Sequence, residues 1–123
     1  MEQKMVNEKD VQNLIQDLVS IPSPYFKEQD IMKYVKNWFS NQGIPATVKK
    51  YHENKVTGFQ GENVIVEISG GEPGPTICIN GHLDTVALCS GWSKDPYKEP
   101  RDGDRIYGLG ALDMKAGVAA TML

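Results

Sequence analysis

Apolar residues recur with the spacing of a helix in the first twenty residues of the chain. They fall at positions i, i+3, i+4, i+7 and i+8, so they share one face of a helix. This apolar face comprises Val11, Leu14, Ile15, Leu18 and Val19. Asn7 is suited to cap the start of the helix, and Pro22 ends the pattern. The segment therefore predicts an amphipathic helix.

A second helical pattern follows Ser23-Pro24 and begins near Glu28. Gly43 is typical of the position just beyond a helix C-terminus, because glycine adopts the left-handed conformation at low cost. We interpret the two aromatic residues of this segment as core packing. The predicted buried face comprises Ile31, Val35, Trp38 and Phe39.

Segments with strand character follow the helices. Residues 47–52 carry charges at alternate positions, which favours an edge strand, and residues 53–62 read as a loop. Residues 64–68 are predicted to form a hairpin with residues 76–79 across a Gly- and Pro-rich turn. Residues 76–79 are uncharged and mostly apolar, which predicts a strand buried on both faces with Cys78 in the core. This order of helices and buried strands predicts a layered α/β domain.

Length and composition narrow the class of protein. With 123 residues, of which 40% are hydrophobic, the chain is long enough for one globular domain. Its formal net charge of −3 offers no basic surplus for nucleic acid or an anionic membrane surface. No apolar run approaches the roughly 18 residues of a membrane span, and residues 1–8 lack the apolar core of a signal peptide. Because Cys78 and Cys89 make no disulfide framework either, we expect a cytoplasmic protein.

The motif GHLDTV at residues 81–86 follows the predicted buried strand. In α/β sheets, ligand sites gather beyond the carboxyl ends of strands, so this position favours a functional site. Residues two apart in an extended segment project to the same side, which lets the Asp84 carboxylate accept a hydrogen bond from one ring nitrogen of His82. The other nitrogen is then free to bind a metal ion or to act as a base. A His–Asp pair that only stabilises a turn is the alternative.

A second motif, GLGALDMKAG, occupies residues 108–117. Gly108 and Gly110 allow a tight turn after the short apolar pair Ile106-Tyr107. Asp113 lies where the last helix is predicted to begin, so its carboxylate is suited either to cap that helix or to bind a metal ion. We reject a dinucleotide-binding loop, because Asp113 replaces the third glycine of that motif and the preceding strand is too short.

The other polar residues of interest have simpler interpretations. His52, the second histidine of the chain, lies in a lysine-rich strand and is predicted on the surface. Lys115 is predicted to be a solvated lysine at the start of the last helix, with contact to a ligand carboxylate as the alternative. Four acids between the two motifs are interpreted as solvated loop charges: Asp95, Glu99, Asp102 and Asp104.

Taken together, the two motifs resemble the paired signature of the M20 metallopeptidases. This group includes acetylornithine deacetylase, succinyl-diaminopimelate desuccinylase, aminoacylases and carboxypeptidase G-like enzymes. Further features extend the resemblance, in the family's order, over nearly the whole chain. They are Ile21-Pro22-Ser23-Pro24, Asn63-Val64, Trp92 and Asp95-Pro96-Tyr97. Leu109 departs from the pattern, because many members have arginine between the two glycines, and this leaves the substrate subgroup open.

The resemblance implies a role for three side chains. His82 corresponds to a ligand of one metal ion, and Asp113 corresponds to the carboxylate that bridges two. Asp84 corresponds to the catalytic aspartate that orients His82, which agrees with the role suggested by spacing. The resemblance also implies a cis peptide bond between Asp113 and Met114, which is rare for a residue other than proline.

The same resemblance implies a fold and an activity. The expected fold is the layered α/β/α catalytic domain of zinc peptidases, with a mixed sheet. The implied cofactors are two divalent metal ions, Zn²⁺ with Co²⁺ or Mn²⁺ as alternatives, and the implied reaction is hydrolysis of an amide bond. The expected substrate is a small molecule, either an N-acyl amino acid or a short peptide, and the intact enzyme is expected to be a homodimer.

The family's general-base glutamate and its remaining metal ligands match no residue of this chain. We therefore expect residues 1–123 to be the N-terminal part of the catalytic domain, incomplete at the C-terminus and lacking the dimerisation domain. Two ligands do not complete a catalytic metal site, so we expect the chain to be inactive alone. The alternative is a non-catalytic truncated product or binding module that keeps the fold without the chemistry.

Overall fold

A computed structural model describes residues 5–98 and 101–123 of the chain. Within these ranges, an irregular turn at Ala111–Lys115 leads into the last helix. The helices are α1 (Glu8–Ser20), α2 (Gln29–Asn41) and α3 (Ala116–Met122). The strands are β1 (Ala46–His52), β2 (Gln60–Val66), β3 (Arg101–Asp102) and β4 (Arg105–Ile106). No helix in the described ranges combines the length and apolar character that crossing a membrane requires.

Helix α1 confirms the first predicted helix. Asn7 caps it, and its side-chain oxygen accepts a hydrogen bond from the backbone N–H of Asp10 at 3.0 Å. This bond satisfies one of the N–H groups that have no partner within the helix. Leu14, Leu18 and Val19 are buried, so the apolar face packs on the core as predicted.

Helix α2 confirms the second predicted helix. It begins directly after Glu28 and ends shortly before Gly43, whose φ of 75° is the left-handed conformation expected beyond the C-terminus. Ile31 and Val35 are buried. The rings of Trp38 and Phe39 are partly buried and pack against the core, as the interpretation of these residues requires.

Strands β1 and β2 form an antiparallel hairpin that runs from the pair Ala46 and Val66 to the pair His52 and Gln60. The predicted strand at residues 47–52 is confirmed, whereas the loop predicted at 53–62 is three residues too long. Gly61 joins the strand because the Tyr51 ring on the facing strand covers it, and an added Cβ at Gly61 would collide with that ring. An aromatic side chain thus supplies the cover that glycine lacks.

The hairpin predicted between residues 64–68 and 76–79 is wrong. Val64 and Val66 pair with β1 instead, so residues 76–79 have no strand beside them in the described part of the chain. Ile77 is 84% exposed and Ile79 is 69% exposed. Cys78 is exposed as well, which corrects its placement in the core. Apolar composition is typical of a buried strand, but burial also needs a covering layer, and the described residues form none over this segment.

The core joins the three helices to the segment that carries His82. Its buried residues come from α1, α2, α3 and the GHLDTV motif, and they are Leu14, Leu18, Ile31, Val35, Leu83, Val118, Ala119 and Met122. Helices with small antiparallel sheets make the chain α/β in class, as predicted. The layered arrangement with a mixed sheet stays a prediction.

Candidate functional site

The GHLDTV motif is extended, and its side chains alternate between the core and a cleft. Leu83 and Thr85 are buried, whereas His82 and Asp84 are about half exposed. A parallel bridge between Pro24 and Thr85 fixes this segment beside the connection from α1 to α2. The alternation expected of an extended chain therefore places His82 and Asp84 on the same side.

The His82 ring lies between two carboxylates. Its Nδ1 atom is 3.2 Å from Asp84 Oδ1 and 3.2 Å from the Asp84 carbonyl oxygen. Its Nε2 atom is 3.0 Å from Asp113 Oδ1. The contact between His82 and Asp84 predicted from their spacing is confirmed. The ring nitrogen that faces away from Asp84 meets Asp113, which is 31 residues further along the chain.

Asp113 does not cap a helix. It has φ −121° and ψ 95°, which are not helical angles, and α3 begins three residues later at Ala116 without a side-chain cap. The sequence left two roles open for the Asp113 carboxylate, a helix cap and a metal ligand, and the helix cap is not observed. The peptide bond between Asp113 and Met114 is cis, as the resemblance implies.

Gly108 and Gly110 let the Asp113 loop approach the rest of the site. Both have positive φ, 153° at Gly108 and 79° at Gly110. A Cβ added to Gly110 would lie 2.5 Å from a methyl carbon of Thr85, and one added to Gly108 would collide with Val19. Glycine is needed at both positions for its conformation and for its lack of a side chain.

The two motifs line one open cleft with a volume of about 310 Å³. Trp92 lies in the wall, and its ring meets Tyr107 edge to face with the centroids 5.6 Å apart. The indole Nε1 is buried and has no hydrogen-bond partner among the described residues. The lining comprises His82, Asp84, Thr85, Val86, Trp92 and residues 108–113. Trp92 forms part of the family resemblance, but spacing alone gave no reason to place it here.

The carboxyl groups of Asp84 and Asp113 raise the pKa of the His82 imidazole. Burial alone lowers the pKa of His82, but hydrogen bonds to the Asp84 carbonyl and the Asp113 carboxylate act in the opposite direction. The negative charges of both carboxylates add to these bonds, so the pKa of His82 is raised above its usual value.

Lys115 corrects a sequence-based prediction, because it is completely buried rather than solvated. Its ammonium group donates a hydrogen bond of 2.8 Å to the Ile21 carbonyl oxygen. Burial lowers its pKa to about 8. Nothing in the local sequence distinguishes such a lysine from a solvated one, because its cover comes from residues far along the chain.

The other predicted positions lie on the surface, apart from one outside the described residues. His52 is exposed, with Nε2 3.2 Å from the Gly58 carbonyl oxygen, so its prediction is confirmed. Asp95 and Asp104 are exposed, as expected of loop charges. Asp102 is exposed too, but it lies in β3 and pairs with the Lys94 ammonium group at 2.9 Å, which corrects its placement in a loop. Glu99 lies outside the described residues.

The donor atoms present fit part of a metal site. Imidazole nitrogen and carboxylate oxygen both bind Zn²⁺, and two ligands at roughly 2.0–2.2 Å from one ion lie at most about 4.4 Å apart. The 3.0 Å between His82 Nε2 and Asp113 Oδ1 is compatible with a shared ion. Within residues 5–98 and 101–123, no group of three or more His, Cys, Asp or Glu side chains could hold a metal ion. The described residues therefore supply two donors, with Asp84 on the far side of the imidazole.

Comparison with known proteins finds relatives that share both motifs' region of the chain. Residues 78–123, which include both motifs, match the family described as peptidase family M20/M25/M40. A probable succinyl-diaminopimelate desuccinylase of Staphylococcus aureus (strain MRSA252) is 28% identical over 119 residues, which are 95% of this chain and 27% of the relative. A succinyl-diaminopimelate desuccinylase of Gluconobacter oxydans (strain 621H) is 47% identical over 49 residues, which are 40% of this chain and 13% of the relative.

A third relative, the succinyl-diaminopimelate desuccinylase of Ehrlichia ruminantium (strain Gardel), is 28% identical over 109 residues, or 87% of this chain and 27% of the relative. The chain thus spans about a quarter of the length of these Staphylococcus and Ehrlichia relatives. Both motifs lie in the matched region, and relatives align over nearly the whole chain, so the chain is similar to peptidase family M20/M25/M40 in both motifs and in their order.

Proposed function

We propose that the protein functions as a metal-dependent hydrolase of amide bonds. The observation that carries this proposal is the position of the His82 ring, with Nδ1 on Asp84 and Nε2 3.0 Å from Asp113 at the wall of an open cleft. An imidazole whose far nitrogen rests on a carboxylate is the usual arrangement of a metal-binding histidine. The family match of residues 78–123 and the relatives named as desuccinylases support the same chemistry.

Each of the three polar side chains has a role in this proposal. His82 would bind one ion through Nε2, and the Asp113 carboxylate would bridge two ions. The Asp84 carboxylate would accept a hydrogen bond from the Nδ1–H of neutral His82, which leaves the Nε2 lone pair facing the cleft. Divalent ions bound there, Zn²⁺ with Co²⁺ or Mn²⁺ as alternatives, would polarise an amide carbonyl and lower the pKa of water.

The proposed substrate is a small molecule, an N-acyl amino acid or a short peptide. The cleft has about 310 Å³ of space, at the lower end of the range of roughly 300–1,000 Å³ typical of small-molecule sites. Side chains of Trp92, Val86 and Leu112 contribute apolar surface to its wall. The acyl group would contact this apolar surface while its carbonyl faces His82 and Asp113.

We further propose that residues 1–123 form the N-terminal part of a layered α/β/α catalytic domain in a cytoplasmic, homodimeric enzyme, and that the chain is inactive alone. The two donors among the described residues support the expected inactivity, since a catalytic zinc site needs three protein ligands. The exposed apolar side chains of Ile68, Ile77 and Ile79 support the proposal that the domain is incomplete, because large apolar surfaces are normally covered by another element.

Zinc binding by paired histidine variants tests the site. We expect His82→Ala to weaken the Zn²⁺ affinity of the chain at least about 10-fold in titration calorimetry, because one of two donors is lost. His52→Ala is the matched control, since it removes the other histidine of the chain far from the cleft, and it should leave the affinity unchanged. Equal losses in both variants would contradict the assignment of His82.

Turnover is measured on the same samples with N-acetyl amino acids in the presence of Zn²⁺ or Co²⁺. We expect none from the wild-type chain, because its ligand set is incomplete. Turnover that disappears in His82→Ala would overturn the expected inactivity and would strengthen the assignment of the site.

A further inference from the structure

A short segment between α1 and α2, residues 21–25, is hydrogen-bonded to the loop that carries His82. The backbone N–H of Thr85 donates to the Ser23 carbonyl at 2.8 Å, and the N–H of Tyr25 donates to the Thr85 carbonyl at 2.9 Å. The Ser23 hydroxyl donates to the Leu83 carbonyl at 2.7 Å. These three bonds surround Asp84 and fix the backbone from which it and His82 project.

The same segment is bonded to the loop that carries Asp113. The ammonium group of Lys115, two residues after Asp113, donates to the Ile21 carbonyl at 2.8 Å. The backbone N–H of Lys115 also donates to the Gly110 carbonyl at 3.0 Å, so the lysine is held at both ends. No carboxylate forms an ion pair with Lys115 in the described part of the chain.

The two side chains that make these connections are sheltered from water. Ser23 and Lys115 both have an exposed fraction of zero. A buried carbonyl that loses its donor has no water to replace it, so each bond resists rearrangement. Pro22 and Pro24 fix φ at two of the five positions of the segment, which limits its own movement. A stiff segment thus holds two loops that are distant in sequence.

We propose that residues 21–25 act as a frame that sets the distance between His82 Nε2 and Asp113 Oδ1, with Ser23 and Lys115 as positioning residues for divalent metal binding. This inference rests on the proposed function, because it concerns the geometry of the same donors. Lys115 touches neither donor side chain in the proposed role and acts through the backbone that leads to Asp113. A charge buried without a carboxylate partner is costly, so a simple packing role would be served better by an apolar residue.

The test compares Lys115→Met and Ser23→Ala with Val35→Ala. Methionine retains most of the buried volume of lysine without its ammonium group, and alanine removes only the hydroxyl of serine. Val35 is buried in α2 and takes no part in the frame hydrogen bonds, so its variant lowers stability without loosening the frame. For each protein, Zn²⁺ affinity is measured by calorimetry, the melting temperature by circular dichroism, and the His82 ring ¹⁵N signals by NMR without metal.

We expect Lys115→Met and Ser23→Ala each to weaken Zn²⁺ affinity roughly 10-fold, the size typical when a residue supporting a metal ligand is lost. Both should also shift the metal-free His82 ring signals, whereas Val35→Ala should lower the melting temperature and change neither readout. Unchanged ring signals in both frame variants, or affinity losses no larger than that of Val35→Ala, would overturn the proposal. If Lys115→Met fails to fold, Ser23→Ala decides the result.

The ring signals also separate this proposal from the proposed function. If the wild-type chain does not bind Zn²⁺, the metal assignment fails, yet a shift of the His82 signals in the frame variants still establishes the frame. If the wild-type chain binds Zn²⁺ and the frame variants bind equally well with unaltered ring signals, the frame is wrong and the metal assignment stands.

Discussion

Residues 76–79 and residues 81–86 are neighbours in the chain, but they are held in opposite ways. The first segment is mostly apolar and exposed, with no strand paired to it in the described part of the molecule. The second is more polar, yet Leu83 lies in the core and Thr85 is bridged to Pro24. Burial in this molecule therefore follows the partners available to a segment rather than its composition.

The physical reason is that apolar surface is stabilised only when another surface removes it from water. Leu83 shares the core cluster with buried residues of all three helices, and the 21–25 segment supplies hydrogen-bond partners to the backbone around it. Ile77 and Ile79 receive no such cover. The polar motif therefore has more packing and hydrogen-bond contacts than the apolar segment, which suits a site that needs fixed side chains.

The largest expected effect comes from equivalent truncations in the two segments. Leu83→Ala should lower the free energy of unfolding by about 2–5 kcal/mol, because it opens a cavity in the core. Ile77→Ala should change it by less than about 0.5 kcal/mol, because an exposed side chain loses little on truncation. Urea denaturation measures both. Similar losses in the two variants would mean that residues 76–79 are covered in solution.

Glycines extend the comparison to the loop of Asp113. Gly110 and Gly103 both have positive φ, 79° and 62°, but an added Cβ meets Thr85 at Gly110 and open space at Gly103. We expect Gly110→Ala to cost about 3 kcal/mol, from the left-handed backbone and the displaced Thr85 methyl. Gly103→Ala should cost only about 1 kcal/mol, from the backbone alone. Chemical denaturation measures the free energy of unfolding of both variants. Equal losses would show that the backbone at Gly110 is not in close contact with the Thr85 methyl group.

The smallest expected effect concerns a surface segment that is ordered without burial. The Glu53 carboxylate accepts hydrogen bonds from the backbone N–H groups of Lys55, Val56 and Thr57 and from the Thr57 hydroxyl. The Thr57 N–H, followed by its hydroxyl and the Lys55 N–H, lowers the pKa of Glu53 to about 2. Because the folded pKa is below the unfolded value of 4.5, the loop is fully stabilised above pH 4.5 and loses this contribution as the pH falls toward 2.

NMR measures this titration at the Thr57 amide. We expect its chemical shift to change with a midpoint near pH 2 in the wild-type chain and to show no such change in Glu53→Gln. The Gly43 amide is an internal comparison, since it donates to the Ser40 carbonyl in a stretch without acidic neighbours and should not titrate. A midpoint near 4.5 at Thr57 would show that the carboxylate does not hold the loop.

Local patterns predicted α1, α2, β1 and the contact between His82 and Asp84, because each depends on residues close in sequence. The predicted strand partner of residues 64–66 is wrong. The Gly- and Pro-rich turn favours a hairpin with residues 76–79, and no local signal indicates that these residues pair with β1 instead. Lys115 was predicted in solvent for a similar reason, because its carbonyl partner lies 94 residues away.

The sequence by itself determined the two N-terminal helices, the α/β class and the side chains suited to metal chemistry, His82, Asp84 and Asp113. Capping, periodicity and motif spacing are local properties, so they are readable without a structure. Only the tertiary structure decided that His82 Nε2 lies 3.0 Å from Asp113, that Lys115 is buried and that residues 76–79 are exposed. Each of these depends on which distant surfaces meet, and the contacts of residues 21–25 with both loops are the physical cause at the site.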